Sequence, residues 1–200
     1  MPYNGTMSPE IKRDVAPFGE VTGAHGAHSS EDTITFIADL ARELMDAVSL
    51  DEVYRRTALA VYRISGALHV LVSGYDRETR KLAFTAMAGM CTFDDLIPSA
   101  GADIRTLRIA PAELGAVAIA SAGSGILTRL DGLYDLFVGK LPRAACNELE
   151  RSTGMKAVYS IGICWDGRIF GNIALLFGND LPPRTEMIEA MARIASVAMR

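Results

Sequence analysis

The sequence predicts an α/β (α+β) domain in which a central antiparallel sheet carries the terminal helices on one face and loops with short helices on the other. Two β-hairpin patterns predict the sheet, and a long irregular segment separates them. Amphipathic patterns before the first hairpin and after the second predict the terminal helices. Distant hairpins combine most simply into one antiparallel sheet, and each apolar sheet face then needs a covering layer.

The domain is predicted to follow an irregular leader. Residues 1–30 contain three prolines and little periodic apolar pattern, so we expect the leader there and a single domain over residues 31–200. A chain of 200 residues, half of them hydrophobic, suits one domain with a substantial core. Between residues 31 and 48 apolar side chains recur every three or four positions, which predicts the first helix.

The second helix has clear boundary signals. Ser49 is a suitable N-cap, and Glu52 three residues later completes the capping-box pattern. Val48 and Val53 have the spacing of a hydrophobic staple across this start. We expect the helix to end at Gly66, because glycine accepts the left-handed conformation that closes many helices.

Two hairpins follow from residues that favour strands. Residues 67–74 and 82–88 flank a charged, turn-like stretch and predict the first hairpin. Residues 157–165 and 168–177 flank Asp166-Gly167, a pair that accepts the positive φ angles of a two-residue turn. The register of this second hairpin should therefore be well fixed.

The middle segment and the end of the chain are predicted to mix short elements. Pro142 and Gly154 mark the start and end of one helix in this segment. The expected elements are a strand at 104–109, an alanine-rich helix at 112–122, a strand at 125–129, helical pieces at 133–138 and 143–153, and a last helix from Pro182-Pro183 to residue 200.

Composition excludes several classes of function. The formal net charge is -4 with a pI near 5.4, and no basic cluster is interleaved with aromatic residues, which argues against nucleic-acid binding. No apolar run approaches the roughly 20 residues that span a bilayer, and no signal peptide begins the chain, so we expect a cytoplasmic protein without a membrane segment. The three cysteines are widely spaced, which predicts reduced thiols.

From about residue 33 to residue 200 the sequence resembles the GAF domain family. Three stretches carry the resemblance: Leu50 to Tyr62, Ser73 to Asp76, and above all Val158 to Phe177 with its Asp-Gly turn and Phe-Gly-Asn step. The resemblance implies an antiparallel sheet with terminal helices on one face and a ligand pocket under the loops of the other. It also implies sensing or signalling, with an unidentified small-molecule ligand and a homodimer formed through the terminal helices.

The resemblance also bears on context and cofactors. GAF domains commonly sit beside PAS domains in sensor histidine kinases, and Gly19 to Gly23 looks like the final strand of a PAS domain, so the chain could be a piece of a longer sensor. Tetrapyrrole-binding members carry Cys followed by His, whereas Cys91, Cys146 and Cys164 precede Thr, Asn and Trp. Covalent bilin attachment is therefore disfavoured, and the cyclic-nucleotide signature is absent. The sequence does not identify a cofactor.

A pocket under the middle segment would draw on residues of that segment and on inward-facing strand positions. Phe137 and Tyr159 have regular apolar spacing and favour plain core roles, whereas Tyr134 suits a pocket cover and a core cap about equally. The candidate ligand-binding residues are Phe93, Asp94, Tyr134, Phe137, Cys146 and Tyr159.

Other chemistry-bearing residues favour structural roles. His69 alternates with apolar neighbours on a strand and is more typical of hydrogen-bonded structure than of a metal or haem ligand. His25 and His28 could hold a metal ion only with a third ligand. Acidic neighbours should raise the pKa of Cys91, and no catalytic triad or catalytic residue is indicated.

Three functions remain after these observations. The leading hypothesis is a non-enzymatic sensor, in which a ligand entering under the middle segment shifts an equilibrium that the terminal helices pass on. The second is a thiol-dependent reductase of free methionine sulfoxide, which would need Cys91 and Cys146 close enough to form a disulfide. The third is a structural dimerisation module with a closed pocket.

Overall fold

A computed structural model describes residues 30–180 and 184–200 of the chain. The described helices are α1 (Ser30–Met45), α2 (Leu50–Ser65), α3 (Phe93–Ala100), α4 (Ala116–Ser124), α5 (Leu133–Leu136), α6 (Arg143–Thr153) and α7 (Thr185–Ala198). The strands are β1 (His69–Asp76), β2 (Lys81–Gly89), β3 (Thr128–Leu130), β4 (Ala157–Trp165) and β5 (Arg168–Phe177). Short 3-10 turns occupy Ile104–Thr106 and Pro111–Glu113.

The five strands form one sheet in the order β2-β1-β5-β4-β3, and every neighbouring pair is antiparallel. Both predicted hairpins are present, and β1 pairs with β5 to join them. The second hairpin has the bounds that its sequence predicted. Asp166 and Gly167 adopt φ angles of 49° and 71°, as a two-residue turn of this kind requires.

Helices α1, α2 and α7 cover one face of the sheet, and the segment between β2 and β4 covers the other. Strand residues alternate between the two layers, as the pleat of a β-sheet dictates. The helix-facing side chains include Val70, Val72, Ile161, Ile163, Ile173 and Leu175. Those facing the middle segment include Leu71, Val158, Ala174 and Leu176. The predicted α/β fold with its two unlike layers is confirmed.

One prediction for the middle segment is wrong, and one helix of that segment was not predicted. Residues 104–109 do not form a strand: Asp103 accepts a hydrogen bond from the Arg105 amide and starts a 3-10 turn, so that only Ile109 pairs with β2. Helix α3 was not predicted. It begins where the Asp95 carboxylate accepts hydrogen bonds from the amide and hydroxyl of Thr92, and it contains Pro98.

Several boundaries differ from prediction. Helix α4 starts at Ala116 instead of residue 112, because Pro111–Glu113 forms a separate turn before Gly115. Strand β3 covers 128–130 instead of 125–129. The predictions for residues 1–29, including the PAS-like stretch and the histidine pair, and for the proline pair that opens the last helix lie outside the described residues.

The start of α2 is only partly as predicted. Ser49 Oγ accepts a hydrogen bond from the Glu52 amide at 3.2 Å, so Ser49 is the N-cap. Glu52 accepts from the amide of Val48 at 2.9 Å instead of that of Ser49. The predicted staple is absent, because Val48 is 92% exposed while Val53 is buried in the core.

We expect Ser49→Ala to lower the free energy of unfolding by about 1 kcal/mol, because the orphan amide at the start of α2 loses its acceptor. Ser49→Asp is the matched control, since aspartate also caps and its charge suits the helix N-terminus. Urea denaturation measures the free energy of unfolding of both variants. Equal stability of the alanine variant and the original protein would contradict this role of Ser49.

Candidate functional site

A group of polar side chains interrupts the apolar sheet face beneath the middle segment. Ser73, Asn172 and Ser160 lie on the neighbouring strands β1, β5 and β4. Ser160 Oγ donates a hydrogen bond to Asn172 Oδ1 at 3.0 Å, and Ser73 Oγ donates to the main-chain carbonyl of Asn172 at 3.4 Å. Both serines are buried, at 4% and 3% exposure.

These polar groups form the floor of a cleft, which we call the polar cleft. Its volume is about 460 Å³ when the space open to solvent is counted, but the cleft is narrow and leaves room for about one water molecule. The carboxylate-bearing residue Asp135 lies at the wall. The remaining walls are apolar and comprise Leu82, Phe84, Ile109, Leu114, Ala122, Leu130 and Leu136. An apolar cavity with a few placed polar groups is the usual form of a small-molecule site.

Asn172 has unused hydrogen-bonding capacity on the floor of this cleft. One atom of its side-chain amide accepts from Ser160, and the other has no partner among the residues that the structure describes. Asn172 is half-buried, so this atom remains open to the cleft. A side-chain amide offers two donors and one acceptor, and a ligand of matching polarity would satisfy the remaining positions.

Helix α4 lies over β4 beside the cleft. Gly162 lacks a side chain where α4 crosses it, and a Cβ atom there would lie 2.1 Å from the carbonyl oxygen of Ala122. Ser121 Oγ donates to the Ser160 carbonyl at 2.8 Å and attaches α4 to the strand that carries the cleft serine. Ile119 of the same helix is half-exposed to solvent. Cys164 Sγ of β4 also donates to the Gly123 carbonyl of α4 at 3.3 Å. The cover is therefore a short helix that packs on Gly162 and is joined to β4 by two side-chain hydrogen bonds.

Three of the predicted residues lie in the middle-segment layer. Phe137 is 1% exposed and packs edge-to-face on Phe84 with ring centroids 5.6 Å apart, and Cys146 is fully buried. The half-buried ring of Tyr134 lies 4.1 Å from the guanidinium of Arg143. None of the three lines the polar cleft, although Asp135 and Leu136 beside them do.

The other three predicted residues lie elsewhere. Phe93 is half-buried at the start of α3, and Asp94 is exposed and pairs with Arg105 at 2.6 Å. Tyr159 packs against the helical layer, with its ring 5.6 Å from that of Phe177. Tyr159 does not line the polar cleft, because strand alternation turns it away while its neighbour Ser160 faces the cleft.

Sequence reasoning missed the cleft serines and Asn172. The available signal was the occurrence of Ser73, Ser160 and Asn172 in otherwise apolar strands of the two hairpins. Each sits on the strand face opposite to the one facing the helices, so strand parity could have grouped them. Their pairing across β1, β5 and β4 depends on sheet order, which the sequence does not give directly.

A thiol and an imidazole lie together at the end of the first hairpin. Cys91 Sγ is 3.5 Å from His69 Nδ1, and His69 is only 3% exposed. Burial raises the pKa of the Cys91 thiol, and the charge of Asp95 raises it further. Burial also lowers the pKa of His69. Both shifts favour the neutral forms, so the pair does not provide an activated thiolate.

The buried imidazole predicts a pH dependence of stability. The pKa of His69 is lower in the folded chain than its ordinary value of 6.5, so the unfolded chain binds the proton more tightly. The free energy of unfolding should therefore fall as the pH drops below about 6.5, with a slope of up to about 1.4 kcal/mol per pH unit for one proton. Urea denaturation at several pH values should show a shallower slope for His69→Leu. Identical slopes in the two proteins would contradict the assignment.

The described residues form neither a metal site nor a membrane span. Residues 30–180 and 184–200 contain no group of three or more His, Cys, Asp or Glu side chains arranged to hold a metal ion. Within the same ranges no helix is long and apolar enough to cross a membrane.

Comparison with known proteins shows a GAF-like fold. No family model matches the sequence, and no curated protein matches it. The structure is similar to the GAF domain of an Acinetobacter phosphoenolpyruvate-protein phosphotransferase, with a TM-score of 0.61 and 10% identity over 86% of this chain and 94% of that one. It is also similar to part of a methyl-accepting chemotaxis protein, with a TM-score of 0.58 and 18% identity over 82% and 96% of the two chains.

A third similar structure is the chromophore-binding domain of an unusual bacteriophytochrome from R. palustris. Its TM-score is 0.58 and its identity 16%, over 87% of this chain. The chain spans only 62% of the length of that domain. At these identities the likeness establishes the fold, and the function has to be argued from the site.

Proposed function

We propose that this GAF-like domain is a non-enzymatic sensor or signal-relay module that binds a small molecule in the polar cleft. The observation that carries the proposal is the group formed by Ser73, Ser160 and Asn172 under the middle segment. Buried polar side chains in an apolar layer cost free energy unless they are satisfied, and Asn172 keeps one amide atom open to the cleft. A ligand with a polar edge and an apolar body fits such a floor and such walls.

Ligand entry would require the cover to move, because the cleft is narrow. Helix α4 is the element to move, since it is short, packs on Gly162, and is joined to β4 by the hydrogen bonds of Ser121 and Cys164. A ligand shifts such an equilibrium only by binding the open arrangement more tightly than the closed one.

Strand β4 provides the route from the cleft to the helical layer. Ser160 faces the cleft, whereas the next residue, Ile161, is fully buried against the helices. The helical layer there includes Ile188 and Met191 of α7. A displacement of β4 at Ser160 would therefore change the packing of Ile161 against α7, the last described helix.

The terminal helices also support the proposed homodimer. Ile34 and Met45 of α1 are 67% and 53% exposed, although both are large apolar side chains. Exposed apolar residues on a helix suit a protein contact. We propose that two copies pair through α1 and α7, in the cytoplasm, as part of a sensor histidine kinase or a related regulator.

The thiol-dependent reductase receives less support. All three cysteines are free, and Cys146 is fully buried. Burial raises the pKa of both Cys91 and Cys146, which lowers the fraction of reactive thiolate. Turnover of free methionine sulfoxide with a thiol reductant, lost in Cys91→Ser, would overturn the non-enzymatic reading.

A thermal-shift screen tests the binding proposal. Defined amino acids, carboxylates, purines and pyrimidines would be added singly to the purified chain, to Asn172→Leu and to Ser196→Ala. Ser196 is a fully buried polar residue on α7, in the helical layer, so its variant controls for a general loss of stability. At least one compound should raise the Tm of the original chain and of Ser196→Ala but not of Asn172→Leu. An equal response of all three proteins, or no response to any compound, would count against the polar cleft as the binding site.

A further inference from the structure

A second cleft lies at the end of the sheet where both hairpins turn. Its volume is about 580 Å³ including the part open to solvent. The lining residues are Arg77, Trp165, Asp166, Arg168, Phe170 and Arg200. None of these residues lines the polar cleft, so the two clefts are separate sites. We call this one the arginine cleft.

The fold brings its three arginines together from distant parts of the sequence. Arg77 directly follows β1, Arg168 begins β5, and these two strands pair at Gly74 and Gly171. Arg200 follows α7, and its guanidinium lies 5.3 Å from the centre of the Trp165 ring at the end of β4. The positively charged groups therefore converge from two strands and one helix.

The charges of the arginine cleft are not balanced within the described residues. None of the three guanidinium groups forms an ion pair with a carboxylate there, although Asp166 lies in the same cleft. Among the side chains of the lining, three positive charges face one negative charge, on a chain whose formal net charge is -4. Like charges held close together repel, and a bound anion would relieve that repulsion.

The chemistry of the lining selects the kind of anion. Guanidinium groups present paired N–H donors that match the oxygens of phosphate in two parallel hydrogen bonds. Three such groups suit an anion with several oxygens and more than one charge better than a single carboxylate. Trp165 is 40% exposed and adds an aromatic wall at the cleft.

We infer that the arginine cleft is a binding site for a phosphate-bearing ligand, held by Arg77, Arg168 and Arg200 beside Trp165. The phosphate could belong to a soluble compound or to a lipid headgroup, and both present the same oxygens to the arginines. This site is independent of the ligand proposed for the polar cleft, because the two clefts share no lining residue.

Tryptophan fluorescence provides a direct test, because Trp165 is the single tryptophan of the chain. Sodium pyrophosphate would be titrated into the full chain at constant ionic strength, with sodium chloride as the compensating salt. We expect a saturable change in emission. Arg168→Gln should weaken the affinity about tenfold or more, since a charge-assisted contact is lost. Arg193→Gln is the matched control, because Arg193 is an exposed arginine of α7 outside the cleft.

A second experiment distinguishes a lipid headgroup from a soluble phosphate compound. Co-sedimentation would compare vesicles of phosphatidylcholine alone with vesicles that also contain phosphatidic acid. Binding that requires phosphatidic acid and is lost in Arg168→Gln identifies a headgroup, and binding of pyrophosphate alone identifies a soluble ligand. The inference is overturned if neither phosphate form binds, or if Arg168→Gln and Arg193→Gln behave alike while circular dichroism shows both to be folded.

Discussion

Phe137→Ala is expected to lower the free energy of unfolding by about 3–5 kcal/mol, the largest effect of any single substitution considered for this chain. Phe137 is 1% exposed and packs on the ring of Phe84, so truncation removes buried apolar contacts and leaves a cavity. Urea denaturation measures the change. Phe93→Ala is the matched control, because Phe93 is an aromatic residue of the same layer that is only half-buried. Its truncation should lower the free energy of unfolding by less than that of Phe137.

This comparison separates a core role for Phe137 from the ligand-contact role that its sequence position also allowed. A ligand contact in an open pocket would leave the stability of the empty protein almost unchanged. If Phe137→Ala proved as stable as the original chain, or less damaging than Phe93→Ala, the packing described for the middle segment would be incorrect.

Gly162→Val should produce the second large effect, a loss of about 1–3 kcal/mol accompanied by displacement of α4. A Cβ at residue 162 would lie 2.1 Å from the Ala122 carbonyl oxygen and 2.5 Å from its carbonyl carbon and Cα. These are main-chain atoms of α4, so the clash cannot be relieved by a side-chain rotation. Urea denaturation measures the loss, and faster amide exchange in residues 116–124 would locate it.

Gly123→Ala is the control for this prediction. Gly123 lies in α4, and a Cβ there would meet no heavy atom within 4 Å. Alanine is favoured over glycine inside a helix, so this variant should gain up to about 1 kcal/mol. If Gly162→Val kept the original stability and amide exchange, α4 would not rest on β4 as the structure places it.

The parts of the fold that were predictable from sequence are those set by local patterns. The hairpin around Asp166-Gly167 and the helix between Pro142 and Gly154 have the predicted bounds, because turn and cap residues determine both locally. Residues 104–109 and α3 were not predictable in the same way. Asp103 and Asp95 direct the chain there through local side-chain hydrogen bonds, which periodicity does not show.

The candidate sites were harder to predict because they depend on long-range pairing. Tyr159 was a pocket candidate, whereas its neighbour Ser160 faces the polar cleft, because a shift of one residue reverses the face of a strand. The polar cleft needs β1, β5 and β4 side by side, and the arginine cleft needs residues as distant as Arg77 and Arg200. The polar residues of the first cleft stand out in apolar strands, but the strand order that brings either set together has no signature in the linear sequence.

The most direct test of the central claim is hydrogen–deuterium exchange of the chain with and without the compound that raises its Tm most. A ligand bound in the polar cleft and relayed through β4 should change amide exchange in α4 and in strand residues 157–165, with a further change in α7. Changes confined to the loops around Arg77 and Arg168, or absent from α4 and β4, would show that the ligand binds elsewhere and would contradict the account.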